Sequence, residues 1–142
     1  MKRILSTLTF AIAFIAASVS ASEWTEDAAA AINESKTEDK VLLMNFTGSD
    51  WCHWCKKIEG EIFSDKMFKD YADENLVLLK LDFPSKIPQS AELKEQNKKL
   101  LDKHGVRGFP TILALNSEGE VIGKLGYTHG GAAEFLSQLK AL

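Results

Sequence analysis

Cysteine is scarce in this chain of 142 residues, which holds two, Cys52 and Cys55. A disulfide framework draws on more cysteines at wider spacing, so the pair does not read as the scaffold of a stapled domain. No second Cys-x-x-Cys accompanies it, and His53, His104 and His129 form no His-x-x-His cluster, so a structural zinc site would lack its second pair of ligands. No metal and no cofactor are expected. Positive charge is not in excess either: 17 Lys and Arg stand against 20 Asp and Glu, for a net charge of −3. The bases are interleaved with acids, which leaves no phosphate-tracking surface and argues against a nucleic-acid partner. Repeats, low-complexity tracts and signs of a second domain are also absent.

What is present begins with Lys2 and Arg3, an apolar segment from Ile4 to Ala17, and the small residues Val19-Ser20-Ala21. This reads as a signal peptide over residues 1–21, because the apolar run is short for a membrane span and is interrupted by Ser and Thr. No cysteine at the expected cut points to lipid anchoring. Losing Lys2 and Arg3 would take the basic count from 17 to 15 against 20 acids, and the net charge from −3 to −5. The expected product is one monomeric domain, residues 22–142, periplasmic or secreted, with about 120 residues around a single core.

The chain is organised around Val41–Lys57. An apolar run, Val41–Thr47, fits a strand buried on both faces. It ends in Gly48-Ser49-Asp50, after which Trp51-Cys52-His53-Trp54-Cys55 places the two cysteines at i and i+3, at a turn that opens a helix. One helical turn apart, the cysteines are close enough to bond, and the first lies where free backbone N–H groups favour a thiolate. A permanent staple between them is the competing reading, but so short a loop restrains the unfolded chain little.

Around this centre Trp24, Ala28, Ala31 and Ile32 recur at helical spacing, which predicts a helix over about Glu26–Ser35 that covers the sheet. The helix from Cys52 is expected to end near Ile58, with Gly60 breaking or kinking it. A further helix to about Asn75 follows, with Ser64 as its cap and Phe63 packed on Phe68. Leu76–Asp82 reads as a strand with Val77, Leu79 and Leu81 on one face and Leu76, Leu78 and Lys80 on the other. Phe83–Gln89 is a loop, Ser90–His104 a helix stopped by Gly105, and Thr111–Leu115 with Val121–Leu125 a hairpin. A closing helix spans Ala132–Leu142. The order implies an α/β fold, a three-layer sandwich with a mixed central sheet and flanking helices.

Trp51-Cys52-His53-Trp54-Cys55-Lys56 after a strand, with Gly108-Phe109-Pro110-Thr111 far downstream, resembles the thioredoxin superfamily, and the run Phe46–Cys52 is similar to its exported bacterial thioredoxin-like members. The resemblance covers nearly the whole segment after residue 21 and implies a thioredoxin-like fold and thiol–disulfide exchange with cysteines of other proteins. It implies that Cys52 attacks and Cys55 resolves. It also makes Phe109-Pro110 a cis-proline loop that receives the substrate backbone, puts Gly126 beside the same groove, and sets Lys80 beneath the redox centre. From the residues alone, Lys80 is an edge or snorkelling lysine.

His53 between the cysteines is a candidate for stabilising the Cys52 thiolate, and Trp51 and Trp54 for a docking patch or a shield over the disulfide. Members of the superfamily span roughly −120 to −270 mV. Reduction is favoured over oxidation or isomerisation, and in an oxidising compartment it requires an electron donor such as a membrane thiol transporter. The departure from the family pattern is Asn45, where many thioredoxins carry a buried, titrating aspartate. Proton handling then falls to solvent, Lys80, Asp50 or Glu59. A module that handles metal or binds protein without turnover is the alternative reading.

Overall fold

Seven residues, Val41–Thr47, form the strand β1 at the middle of the structure, a computed structural model that describes residues 23–142. Before it comes α1 (Ala28–Glu38); after it come α2 (His53–Ile58), α3 (Lys66–Asn75), β2 (Leu76–Asp82), α4 (Ala91–Lys103), β3 (Thr111–Leu115), β4 (Val121–Leu125) and α5 (Gly131–Lys140). The sheet order is β2-β1-β3-β4, with β1 parallel to β2 and antiparallel to β3, and β4 antiparallel to β3.

Strand alternation divides the apolar residues between two faces. Leu42, Met44 and Phe46 share one core with Val77, Leu79 and Leu81, covered by Ala28 and Ala31 of α1 and by Leu100 and Leu101 of α4. Leu43, Leu76, Leu78, Ile112 and Ala114 face the other way, onto Ile58, Ile62, Phe68, Phe135 and Leu136. The result is the expected three-layer sandwich. Near the ends of β1 and β2 this second face turns polar, because the alternation brings Asn45 opposite Lys80 and Thr47 opposite Asp82. The polar end is the floor of the site described below.

Three local expectations are corrected. Trp24 does not belong to the first helix: Thr25 is extended against the outer edge of β2, its N–H donating to the Leu78 carbonyl (2.9 Å) and its carbonyl accepting from Lys80 N–H (2.8 Å). That extended residue breaks the spacing on which the predicted face rested. Trp24 instead packs on Phe63 and Phe68, Ile32 is exposed, and α1 starts later, capped by Asp27, whose carboxylate accepts from Ala30 N–H.

The second helix ends at Ile58, as expected, but Gly60 does not stop the winding. The chain widens into a π-helical stretch, Glu59–Phe63, closed by Ser64 N–H on the Glu59 carbonyl at 2.9 Å. Ser64 itself is in helical conformation, so the cap of α3 moves on to the extended Asp65, whose carboxylate accepts from Met67 N–H at 2.7 Å. Phe63 still packs on Phe68, ring centroids 4.9 Å apart. The expected signal peptide, residues 1–21, lies outside the described residues; among those described, no helix is long and apolar enough to cross a membrane.

Candidate active site

Cys52 is the N-cap of α2, in extended conformation, and Cys55 lies in the first turn. The two are disulfide-bonded with Cα atoms 5.2 Å apart. Cys52 Sγ accepts from the Cys55 backbone N–H at 3.2 Å, and Cys55 Sγ accepts from Gly48 N–H at 3.5 Å. Each sulfur thus faces an amide hydrogen, an environment that favours negative charge on sulfur. Both cysteines are buried, Cys52 (7% exposed) slightly less than Cys55 (3%).

The turn before Cys52 is fixed from three sides. The buried Asp82 carboxylate accepts both the N–H and the hydroxyl of Ser49. Asp50 accepts the backbone N–H groups of Ser85 (2.9 Å), Lys86 (2.6 Å) and Ile87 (3.2 Å), tying the Phe83–Gln89 loop to the turn. The Trp51 indole N–H donates to the Phe83 carbonyl at 2.8 Å, and its ring lies across Gly48, where an added Cβ would meet the indole at 2.4 Å. Trp51 is nonetheless half exposed.

The Phe109-Pro110 bond is cis. Phe109 stacks on Phe83 with centroids 5.2 Å apart and meets Trp51 edge-on at 5.9 Å, which makes the loop a direct neighbour of the cysteine turn. Phe109, Pro110 and Gly126 line one shallow trough with Arg107 and Lys124. On the other side, Trp54 lies 5.2 Å from the ring of Tyr127, with the Lys57 ammonium over both rings. Tyr127 donates its hydroxyl to Glu61. That bond, with Lys57 second, holds the Glu61 carboxyl below its ordinary range. His53 is exposed and stands edge-on to Trp54 at 5.4 Å.

Beneath the disulfide is a cleft of about 350 Å³ lined by Thr47, Ser49, Cys55, Lys56, Glu59, Gly60 and Lys80. Here the two candidate carboxylates part company. Asp50 is held below its usual pKa, chiefly by the Ser85 amide. Glu59 is exposed as a residue, yet its carboxyl is dehydrated enough by the surrounding protein that its pKa is raised, a shift that Lys80 and then Lys69 partly offset. Asn45 is buried, with its side-chain oxygen unpaired.

Of the residues singled out in the sequence, the fold brings together the cysteines, both tryptophans and the proline loop, and places Lys80 in the lining of the cleft. Sequence reasoning missed Asp82, Tyr127, Arg107 and Lys124. Tyr127 adjoins Gly126 and Arg107 adjoins Gly108, so both had a signal in the sequence.

A disulfide-bonded Cys-x-x-Cys pair opening a helix at the end of a central strand, beside a proline loop, defines a thiol–disulfide oxidoreductase of the thioredoxin type. The chain belongs to that superfamily: residues 28–142 match the family described as the thioredoxin-like domain. It is similar to the disulfide bond reductase DsbH of Chlamydia pneumoniae, 35% identical over 119 residues that make up 84% of this chain and 71% of that one. A solved DsbH oxidoreductase superposes with a TM-score of 0.80 at 32% identity, covering 97% of this chain and 93% of the other. The thiol:disulfide interchange protein DsbD of Photorhabdus laumondii is 34% identical over 88 residues, 62% of this chain but 14% of its own length.

Proposed function

We propose that the protein is an exported reductase of disulfides in other proteins, working through Cys52 and Cys55. The observation that carries this reading is the Cys52 sulfur at the cap of α2, accepting the Cys55 N–H at 3.2 Å. In the reduced protein the same amide stabilises a Cys52 thiolate. That thiolate attacks one sulfur of a client disulfide, forming a Cys52–client bond and expelling the second client sulfur, which takes up a proton. Cys55 then loses its proton, attacks Cys52 Sγ and releases the client's first sulfur as a thiolate. Two electrons have passed to the client, and the Cys52–Cys55 disulfide is the product.

Glu59 is the group suited to take the Cys55 proton. It follows Cys55 by four residues along the helical path, shares the cleft with it, and has a raised pKa. Asn45 cannot do so, and Asp50 is committed to the loop amides. Lys80 supplies positive charge in the cleft, His53 offers an imidazole N–H at the rim, Trp51 and Trp54 wall the reacting sulfur, and Pro110 with Gly126 receives the client backbone. The reductive direction is supported by the likeness to DsbH, a disulfide bond reductase. In an oxidising compartment it requires a dithiol donor, for which a membrane thiol transporter of the DsbD kind is suited. Export rests on the N-terminal pattern of residues 1–21.

The test is a Cys55→Ser variant expressed in cells. It retains the attacking sulfur and loses the resolving one, so Cys52-linked mixed disulfides with clients should accumulate and collapse on reduction. A metal-handling or passive binding module would trap no clients, and that result rejects the proposal.

A further inference from the structure

The trough beside the cis proline brings Gly108 and Gly126 together with two cations. Gly108 and Gly126 leave open space next to their Cα atoms. Arg107 and Lys124 line the same trough, and both are exposed. Among the described residues, the ion pairs join Lys40, Lys57, Lys66, Lys98 and Lys99 to carboxylates, and neither Arg107 nor Lys124 takes part in one. Asp50 is engaged by three loop amides, and Glu61 by Tyr127 and Lys57. In a chain with net charge −3, this trough thus carries two cations that no ion pair neutralises.

We infer that this groove selects client segments in which Asp or Glu flanks the reacting cysteine. The inference rests on the exchange reading and names the substrate class it leaves open. An extended segment can pair with the open backbone while its carboxylates meet Arg107 and Lys124. Exposed ion pairs are weak singly, each worth roughly up to a fivefold preference. Two of them, with repulsion of lysine added, give an order-of-magnitude discrimination between acidic and basic clients. Complementary charge of this kind acts on encounter and selectivity more than on final affinity.

The test uses the reduced protein and three symmetric peptide disulfides, in which the residues two before and two after the cysteine are both Glu, both Gln or both Lys. Symmetry makes the attacked sulfur unambiguous. Dividing each rate by that of dithiothreitol with the same peptide removes intrinsic differences in disulfide reactivity. At about 10 mM ionic strength the normalised rates should fall in the order Glu, Gln, Lys, about tenfold from first to last, and should converge at about 1 M, where the Debye length is about 3 Å. The variant carrying Arg107→Glu and Lys124→Glu, checked for native near-ultraviolet circular dichroism, should reverse the order. Equal normalised rates, or an unchanged order in that variant, overturn the inference while leaving the exchange reading intact. If dithiothreitol reduces the peptides and the protein reduces none, both fall.

Discussion

Ser49 and Asp82 are joined twice: the backbone N–H of Ser49 reaches one carboxylate oxygen at 2.9 Å and its hydroxyl reaches the other. Asp82 ends β2 and is buried, and Ser49 begins the turn that delivers Cys52. The pair therefore anchors the reactive turn to the sheet. Replacing Asp82 with Asn keeps the shape, weakens two charge-assisted bonds and should lower the stability of the oxidised protein by about 1–3 kcal/mol. Denaturant unfolding checks this as a lower midpoint at unchanged slope. An unaltered midpoint would mean that the turn is held by its other contacts.

Gly48 matters for a different reason. Its missing side chain is what lets the Trp51 ring lie across the turn, with the indole N–H on the Phe83 carbonyl and the ring edge on Phe109. A Gly48→Ala change must push the ring outward, since the clash is with a rigid aromatic system. The expected cost is about 1–3 kcal/mol. Near-ultraviolet circular dichroism and tryptophan emission should both shift toward a more solvated indole; an unchanged spectrum would show that the turn yields instead of the ring.

The sheet and most helices were legible because burial imposes simple periods: Val77, Leu79 and Leu81 alternate with Leu76 and Leu78 as the two cores require. Thr25 was not legible, since pairing along an edge leaves no apolar pattern. The π-helical stretch was hidden because Gly60 reads as a breaker, and only the Ser64-to-Glu59 bond shows that the chain keeps winding. At the site, the cysteines and the proline loop announced themselves. The division of labour between Asp50 and Glu59 did not, because the two residues look alike until one meets the amides of residues 85–87 and the other meets the cleft. Asp82 escaped because its partner lies 33 residues away in sequence.

Glu59 weakens the fold at neutral pH, and the sign follows from its environment. Its carboxyl starts from an ordinary value of 4.5 in the unfolded chain and is raised in the folded one, chiefly by burial. The folded state therefore holds the proton longer, and stability is fully present below 4.5 and declines as pH rises through the folded pKa. Glu59→Gln removes that loss, so the variant should be more stable than the parent at pH 7, with the difference fading below pH 4.5. The same substitution deprives Cys55 of its proton acceptor. Breakdown of the Cys52 mixed disulfide should slow by about 100-fold and lose the acid-side inflection of its pH profile, as read by acid quench at successive pH values. A variant that gains stability and resolves at the parental rate would assign the proton to solvent, which the open cleft admits. A variant that gains stability and resolves slowly would show a carboxylate kept for chemistry against the interest of the fold.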